Sequence, residues 1–419
     1  MKLSADMLRA HGLDLLDFLR RGVFAVLIGL LVGAVGVAFH FGIDLVTQLR
    51  QAHNWFILLL PVGGLAIILL YRACGMEQDR GTNLVLVAVR EHEPMHLRTA
   101  PLIFLSTILT HLVGGSAGRE GAALQLGGSI GAWVGRKIHL DEKDRRIMVM
   151  CGMSAAFSGL FGTPITAAIF AMEVVSVGVM YYAAIVPCVV SSLVSVQLAR
   201  FFGLHIGTGY LIGNVAVLGP WSMAQVCVMG VLCALLSILF CKVMHAAPKL
   251  YAKYFPNPLV RAAVGGALVL LLTLLVGEQT YNGAGDAVIR RMLAGETISE
   301  AFLLKLVFTA LTLGAGFRGG EIVPVLFTGA AFGTVVGPLL GLSQSFGGAL
   351  GMTAVFCGAT NCPITSILLA YELFTSRGLP LYALCCAISY MLSGYYGLYS
   401  EQKIIYSKFK ATWVDRKAE

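Results

Sequence analysis

Long apolar stretches recur along the whole chain, and the polar residues are concentrated in the short segments between them. These stretches lie near residues 22–41, 54–71, 147–199, 222–241, 259–276, 322–371 and 379–400. Several exceed the roughly 20 residues that cross a hydrocarbon core, and the two longest must each contain more than one helix. The pattern therefore predicts an all-α, polytopic membrane protein.

The composition agrees with this prediction, since 57% of the residues are apolar and only 12% are charged, against roughly 25% charged residues in soluble domains. Much of the net charge of +8 lies at the two ends of the chain. By the positive-inside tendency we expect both termini on the cytoplasmic side of the membrane. We expect this membrane to be the cell inner (plasma) membrane. No basic face with interleaved aromatic residues is present, so nucleic acid is not a predicted partner. The scattered cysteines lack metal-site spacing, and we expect neither a metal nor a cofactor.

The chain contains an internal repeat. A shift of 199 positions aligns residues 152–174 with residues 351–373, and ten of the 23 positions are identical, including Pro-Ile-Thr and a glutamate seven residues later. Duplicated transporters often have inverted halves with a substrate site near the membrane midplane. We predict a cytoplasmic N-terminal segment at residues 1–20 and two membrane repeats at residues 21–200 and 201–400. A short cytoplasmic C-terminal tail follows at residues 401–419.

Glycines and prolines interrupt the apolar stretches at equivalent places in the two halves. The interruptions are residues 114–118, 162–164, 314–320 and 361–363. Each leads into a helix-forming run, and a helix N-terminus presents unpaired amides and a partial positive charge that favour an anion. The alternative is that these glycines only allow helices to pack closely. Recurrence in both halves beside an ionisable residue favours anion binding.

Glu120 lies in the first interruption, and Glu321 lies in the matching one of the second half. An acidic residue within a membrane is costly and is by default a functional residue, such as a proton carrier. A carboxylate here would compete with an anion for the same positive pocket, so that protonation releases the side chain and admits the ion. A salt bridge with Arg119 is the alternative for Glu120. For Glu173 and Glu372 a structural hydrogen-bonding role is at least as plausible as proton relay.

These motifs resemble the CLC channels and transporters over roughly residues 20–400. Residues 118–121 (Gly-Arg-Glu-Gly) resemble the gating-glutamate motif, residues 319–324 resemble the second anion-coordinating loop, and Tyr399 resembles the tyrosine near the end of the last membrane helix. The resemblance implies an inverted-repeat fold with broken helices and a homodimer with one anion pathway in each protomer. We expect no enzymatic activity and no regulatory domain after the membrane region.

The resemblance also assigns roles to individual residues. It implies that Glu120 is the gate and proton-transfer group and that Glu321 is a second proton-coupling carboxylate. The anion-binding residues that it implies are Gly118, Arg119, Gly121, Gly320, Ile322, Val323 and Tyr399, with Thr82 or Asn83 in place of a serine of the family.

Several departures from the family pattern bear on the transported ion. The usual inner serine is missing, the internal proton-transfer glutamate is replaced by Val174, and Glu321 stands where the chloride-type loop has an apolar residue. These features resemble the fluoride/proton antiporter branch, although Val323 stands where that branch would have threonine, and Ala122 replaces a usual proline. We predict proton-coupled fluoride export, with a chloride/proton exchanger or a passive chloride channel as alternatives.

Residues 92–96 (His-Glu-Pro-Met-His) match the H-E-x-x-H pattern of zinc proteases. That chemistry requires both histidines on one face of a helix. Pro94 would kink or start a helix between them, and charged neighbours place the segment at the membrane surface. We therefore favour a solvated loop over an intramembrane metalloprotease.

Overall fold

The computed structural model describes residues 5–77, 79–91, 93–204, 210, 212–410 and 412–419, with the side chains of residues 5–14 left aside. The helices in these ranges are α1 Ala5–Ala52, α2 Leu60–Ala73, α3 Thr82–Arg90, α4 Thr99–Leu112, α5 Glu120–Lys137, α6 Glu142–Phe161, α7 Pro164–Glu173, α8 Ile185–Phe201, α9 Pro220–Tyr254, α10 Pro258–Val276, α11 Asp286–Leu293, α12 Ala301–Gly314, α13 Ile322–Leu339, α14 Gln344–Thr360, α15 Pro363–Phe374 and α16 Leu379–Leu392. The all-α prediction is confirmed.

The two longest apolar stretches each divide into three helices, as their length required: α6, α7 and α8 in one, and α13, α14 and α15 in the other. In the described part of the chain, six helical segments are long and apolar enough to cross a membrane, and five further apolar helices are shorter. The interrupted, half-length helices are thus a feature of the architecture, and they bring backbone ends into the protein interior.

Helix α1 is the longest element, with 48 residues, or about 72 Å at 1.5 Å per residue. Near its N-terminal end Arg20 and Arg21 contact the carboxylate of Asp144 at 2.6 and 2.9 Å. Asp144 belongs to the first turn of α6, whose N-cap Asp141 accepts a hydrogen bond from the Asp144 amide. These contacts fix the basic end of α1 against the start of α6.

A small sheet closes the end of the chain. Strand β1 (Ser176–Val177) pairs in parallel with β2 (Lys403–Tyr406), which pairs antiparallel with β3 (Trp413–Lys417). The amide of Glu419 donates to the carbonyl of Tyr395. The segment predicted as a tail at residues 401–419 is therefore folded against both halves of the membrane region, and the four segment boundaries stay predictions.

The repeat is visible in how equivalent helices pack. Helices α5 and α6 contact each other through Gly127 and Gly152, and α13 and α14 do so through Gly329 and Gly351. A Cβ atom added to any of these four glycines would overlap the backbone of the facing helix. Small residues permit such close helix approach inside a membrane, where van der Waals packing drives association.

The two halves also exchange glutamates at the proline interruptions. Glu173, at the end of α7, accepts hydrogen bonds from the amides of Ile364 and Thr365 and from the Thr365 hydroxyl, at 2.5–3.1 Å. Glu372 of α15 accepts from the two amides that follow Pro164, at 3.0 and 2.8 Å. Each half therefore caps a helix N-terminus of the other. The hypothesis of an anion site at residues 162–164 and 361–363 is wrong, because protein carboxylates occupy both N-termini.

We predict that Gly152→Ala lowers the stability of the fold, because its methyl group would overlap the Gly127 carbonyl in the α5–α6 contact. Overpacking of this kind costs about 1–3 kcal/mol, occasionally more. Thermal melting of the detergent-solubilised protein, followed by size-exclusion chromatography, measures the effect. Gly36→Ala in α1 is the matched control, since no atom lies within 4 Å of its added Cβ. Equal melting midpoints for the two variants would contradict the packing argument.

Candidate functional site

The site forms where two helix pairs are interrupted at equivalent positions. Helix α4 ends at Leu112 and α5 starts at Glu120, while α12 ends at Gly314 and α13 starts at Ile322. Each intervening loop turns at a glycine with positive φ, Gly114 at +86° and Gly316 at +106°. Glycine tolerates this conformation without the steric cost that a Cβ would add.

The two loops pair with each other at one point. The amide of Gly118 donates to the carbonyl of Gly320 at 2.7 Å, and the amide of Gly320 donates to the carbonyl of Gly118 at the same distance. The pairing is antiparallel. It places the N-termini of α5 and α13 side by side.

Close approach at this point depends on the absence of side chains. A Cβ on Gly320 would lie 2.5 Å from the Gly121 amide nitrogen, and one on Gly118 would lie 2.6 Å from Oε2 of Glu120. The early amides of α5 and α13, including those of Ile322 and Val323, have no acceptor within their own helices. The loops therefore expose backbone N–H groups and helix dipoles to a shared space.

Glu120 is the first residue of α5, and only 2% of it is exposed. Its Oε2 accepts a hydrogen bond from the amide of Arg119 at 2.9 Å, so the carboxylate is folded back over the start of its own helix. The Arg119 Nε lies 3.7 Å from Oε1, and that nitrogen has no hydrogen-bond partner among the described residues. The salt bridge considered for this pair is thus long, and the main-chain amide holds the carboxylate.

Glu321 is the N-cap of α13, and its Oε2 is buried without a hydrogen-bond partner in the described ranges. A Cβ on Gly121 would lie 3.6 Å from this oxygen, which places the carboxylate beside the first turn of α5. The second carboxylate predicted from the repeat therefore belongs to the same cluster as the α5 N-terminus.

Thr82 joins this cluster from the start of α3. Its hydroxyl donates to the Gly121 carbonyl at 3.3 Å, and the Gln125 side-chain amide contacts both groups at 3.3 Å. Asn83 does not contribute a side chain here, since its Oδ1 accepts a hydrogen bond from the Glu401 amide at 3.1 Å. Of the two candidates for the missing serine, the structure brings Thr82 to the paired loops and directs Asn83 to the C-terminal segment.

Tyr399 is buried, and its hydroxyl has no hydrogen-bond partner in the part of the chain that the structure describes. An unpaired buried hydroxyl is costly, and an anion is one ligand that would satisfy it. The paired loops thus combine free amides, the Thr82 hydroxyl and two carboxylates, and the Tyr399 hydroxyl is a candidate ligand for the same anion.

Glu120 and Arg119 also line a cavity of about 610 Å³. Its further polar lining includes His40, Asp44, Arg50, His111, Asn282 and Asp286. Within this lining Asp44 is 3.1 Å from Nε2 of His40 and 3.8 Å from Nη1 of Arg119. A path therefore leads from Glu120 into a polar cavity.

The residues on α1 that line this cavity were not among those predicted from the sequence. His40, Asp44 and Arg50 lie on α1, within or just after an apolar run, and an ionisable residue in a membrane helix is itself a signal of function. These ionisable residues are visible in the sequence, but no motif or spacing connects α1 with Glu120.

Residues 93–96 of the H-E-x-x-H segment are absent from the contacts described for this site. His92 lies outside the described residues, and residues 93–96 are not helical. Glu93 contacts Arg80 at 3.0 Å. No group of three or more potential metal ligands occurs among the described residues.

Comparison with known proteins gives matches over most of the chain. The family model "Voltage gated chloride channel" matches residues 63–394. A "Chloride/fluoride channel protein" of Pseudomonas syringae pv. tomato is 35% identical over 410 residues, which cover 96% of this chain and 90% of the relative.

Two solved structures share the fold. The crystal structure of a CLC-type fluoride/proton antiporter superposes with a TM-score of 0.88 and 32% identity over 96% of this chain and 99% of that one. A slow cyanobacterial Cl⁻/H⁺ antiporter superposes with a TM-score of 0.74 and 17% identity over 89% and 94% of the two chains. The paired broken helices and these matches together establish that the chain is a multi-pass membrane protein of the CLC family, the voltage gated chloride channels and their transporter relatives.

Proposed function

We propose that this protein exports fluoride in exchange for protons, with Glu120 and the anion competing for the N-terminus of α5. The observation that carries the proposal is the position of the Glu120 carboxylate, which accepts a hydrogen bond from a main-chain amide at the helix start. A halide entering from the cavity would need the same amides and the same dipole.

The exchange follows from the charge of the carboxylate. While ionised, Glu120 satisfies the amides and excludes a second negative charge. When it takes a proton it becomes a weaker acceptor, leaves the amides and makes room for an anion. The carboxylate can return to the amides and displace the anion only after it has lost that proton. Anion and proton therefore alternate at one position.

Glu321 supplies the second carboxylate that coupling requires. It lies beside the first turn of α5 from the opposite half of the molecule, and its unpaired oxygen is ready to take a proton. A second buried carboxylate is a costly feature with no use in passive diffusion. We therefore assign it to proton transfer between Glu120 and the other side of the membrane.

The choice of fluoride rests on the site and on the relatives. Fluoride is small and strongly hydrated, so it needs hydrogen-bond donors to replace its water. The free amides at Ile322 and Val323 and the Tyr399 hydroxyl are candidate donors. The Thr82 hydroxyl joins them when it turns from the Gly121 carbonyl, and the backbone at Gly118, Arg119, Gly121 and Gly320 forms the remaining wall. A relative at 35% identity is described as a chloride/fluoride channel and a structure at 32% identity as a fluoride/proton antiporter.

The orientation follows from α1. The basic N-terminal end of this helix favours the cytoplasm, and its other end, at Asp44 and Arg50, lines the cavity. On this reading the cavity opens outwards from a cell inner membrane, and both termini are cytoplasmic. The family resemblance favours a homodimer with an independent pathway in each protomer.

We predict that Glu120→Gln abolishes proton movement, because the amide side chain cannot release a proton to the anion exchange. In proteoliposomes with an outward fluoride gradient, the wild-type protein should acidify the lumen and the variant should match empty vesicles. Glu77→Gln is the control, since Glu77 pairs with Arg72 on the exposed surface. Normal proton pumping by Glu120→Gln would remove Glu120 from the mechanism.

We predict that Glu321→Gln also uncouples protons from anions, whereas Glu173→Gln does not. Glu173 is a buried carboxylate as well, but it is fixed by three hydrogen bonds, so its loss should lower the melting temperature and leave the proton-to-anion ratio unchanged. The measurement is the ratio of proton uptake to fluoride release in the same vesicles. A wild-type ratio in Glu321→Gln would refute the coupling role.

We predict faster efflux of fluoride than of chloride from the same proteoliposomes, since the donor-rich cluster favours the more strongly hydrated ion. Ion-selective electrodes measure both rates. Chloride-selective exchange would reject fluoride as the substrate but retain antiport. Anion flux without any proton movement would instead identify a passive channel.

A further inference from the structure

We propose that the cavity contains an additional outer anion-binding site centred on Arg50, where a small inorganic anion docks before or after it exchanges with Glu120. The proposal rests on the proposed function for its place in the transport path, but the site itself is defined by residues outside the paired loops.

Arg50 lies in the last turn of α1, and only 4% of it is exposed. Its Nε and Nη1 atoms are buried and have no hydrogen-bond partner in the described part of the chain. A guanidinium group stays charged in proteins and presents five donors. A buried charge with unsatisfied donors is strongly unfavourable, and Arg50 lines the cavity of about 610 Å³.

The wall around the guanidinium is shaped by two glycines. A Cβ on Gly114 would lie 3.3 Å from Nη1 of Arg50, and one on Gly283 would lie 3.2 Å from Nη2. Both glycines have positive φ, and the amide of Gly283 donates to the Gly115 carbonyl at 3.0 Å. The loop that leads into Glu120 and the loop before α11 thus converge at Arg50.

A second buried cation contacts the same loop at Gly283. Lys305 of α12 is fully buried, and its Nζ donates to the carbonyls of Tyr281 and Gly283 at 3.1 and 2.7 Å. Carbonyl groups fix this ammonium but do not neutralise it. The loop at Gly283 is therefore flanked by two cations, Arg50 and Lys305, which together offset the negative charge of Asp286 in the same lining.

His111 provides a further polar contact on the cavity lining. Its Nδ1 bonds to the Thr107 carbonyl at 2.9 Å, and because a carbonyl only accepts, Nδ1 carries the hydrogen. Its Nε2 is buried without a partner among the described residues. In this neutral tautomer Nε2 is an acceptor only, so His111 does not bind an anion and the guanidinium of Arg50 supplies the donors.

The carboxylates of the cavity leave Arg50 unpaired. Asp44 contacts His40 and Arg119, and Glu120 contacts Arg119. Within the described ranges no carboxylate lies in ion-pair contact with Arg50. Asp286 lines the same cavity and is the protein group that could displace an anion from the guanidinium, so the experiment must distinguish the two.

Crystals of the wild-type protein in sodium bromide test the site directly, because bromide scatters anomalously. We expect a peak beside the Arg50 guanidinium, separate from any peak at the paired loops. Arg50→Gln should lose the outer peak and keep the inner one, and Arg50→Lys should retain a weaker outer peak. A cavity without bromide, or a direct Arg50–Asp286 ion pair in its place, would overturn the proposal.

Transport gives an independent measurement. Arg50→Gln should raise the half-saturating anion concentration on the cavity side about tenfold, the factor that corresponds to about 1.4 kcal/mol, and change the maximal rate much less. Arg72→Gln, which alters an exposed arginine, is the matched control. An unchanged half-saturation in monodisperse Arg50→Gln would contradict the site. The proton-to-anion ratio is read separately, so that failure of the antiport proposal is distinguishable from failure of this one.

Discussion

The reciprocal hydrogen bonds between Gly118 and Gly320 are the constraint on which the rest of the site depends. Two inverted loops can share a pair of 2.7 Å main-chain hydrogen bonds only if no side chain separates them, and both positions are glycine. The pairing brings the N-termini of α5 and α13 together inside the membrane region, where their unpaired amides find no lipid or bulk-water partner. Glu120 and Glu321 sit beside this pair as a direct consequence of their place in the sequence. A fold that failed to pair these loops would have the same residues and no common site.

The molecule uses carboxylates at helix N-termini in two different ways. Glu173 receives three hydrogen bonds, from two amides and a hydroxyl, and it belongs to the opposite half of the chain from the helix that it caps. Glu120 accepts a main-chain hydrogen bond from the residue directly before it, at the start of its own helix. Charge-assisted hydrogen bonds to several donors are difficult to give up together, so the first arrangement holds the fold. Glu120 caps its own helix and has no side-chain hydroxyl or amide of the other half among its described hydrogen-bond partners, which fits the gating role proposed for it.

The internal repeat and the glycine-rich motifs were sufficient to predict the broken helices and the two carboxylates near the centre, because those features are local in sequence. Thr82 was predicted because it lies where the family has a serine, and Asn83 was an equal candidate. Only the fold shows that the Asn83 side chain instead accepts a hydrogen bond from the Glu401 amide. The prediction of an anion site at all four interruptions failed at two, since Glu173 and Glu372 reach them from about 200 residues away. The cavity was missed for the same reason. Its wall joins the end of α1 to the loop before α11, and no pattern links these segments.

The arginines of the two paired loops have different partners. Arg119 lies at the cavity, 3.8 Å from the half-exposed Asp44. Arg318, three residues before the N-cap of α13, instead contacts Asp79, whose side chain is fully buried, at 3.3 Å, and its guanidinium stacks over the Tyr71 ring at 4.2 Å. A buried ion pair covered by an aromatic ring is costly to open, because separation leaves two uncompensated charges. Arg119 of the first half therefore lines an open cavity, whereas Arg318 of the second half lies in a packed ion pair. Arg50 and Glu120 line the same cavity, so an anion docked at Arg50, as proposed above, would meet the Glu120 carboxylate seated on the start of its own helix.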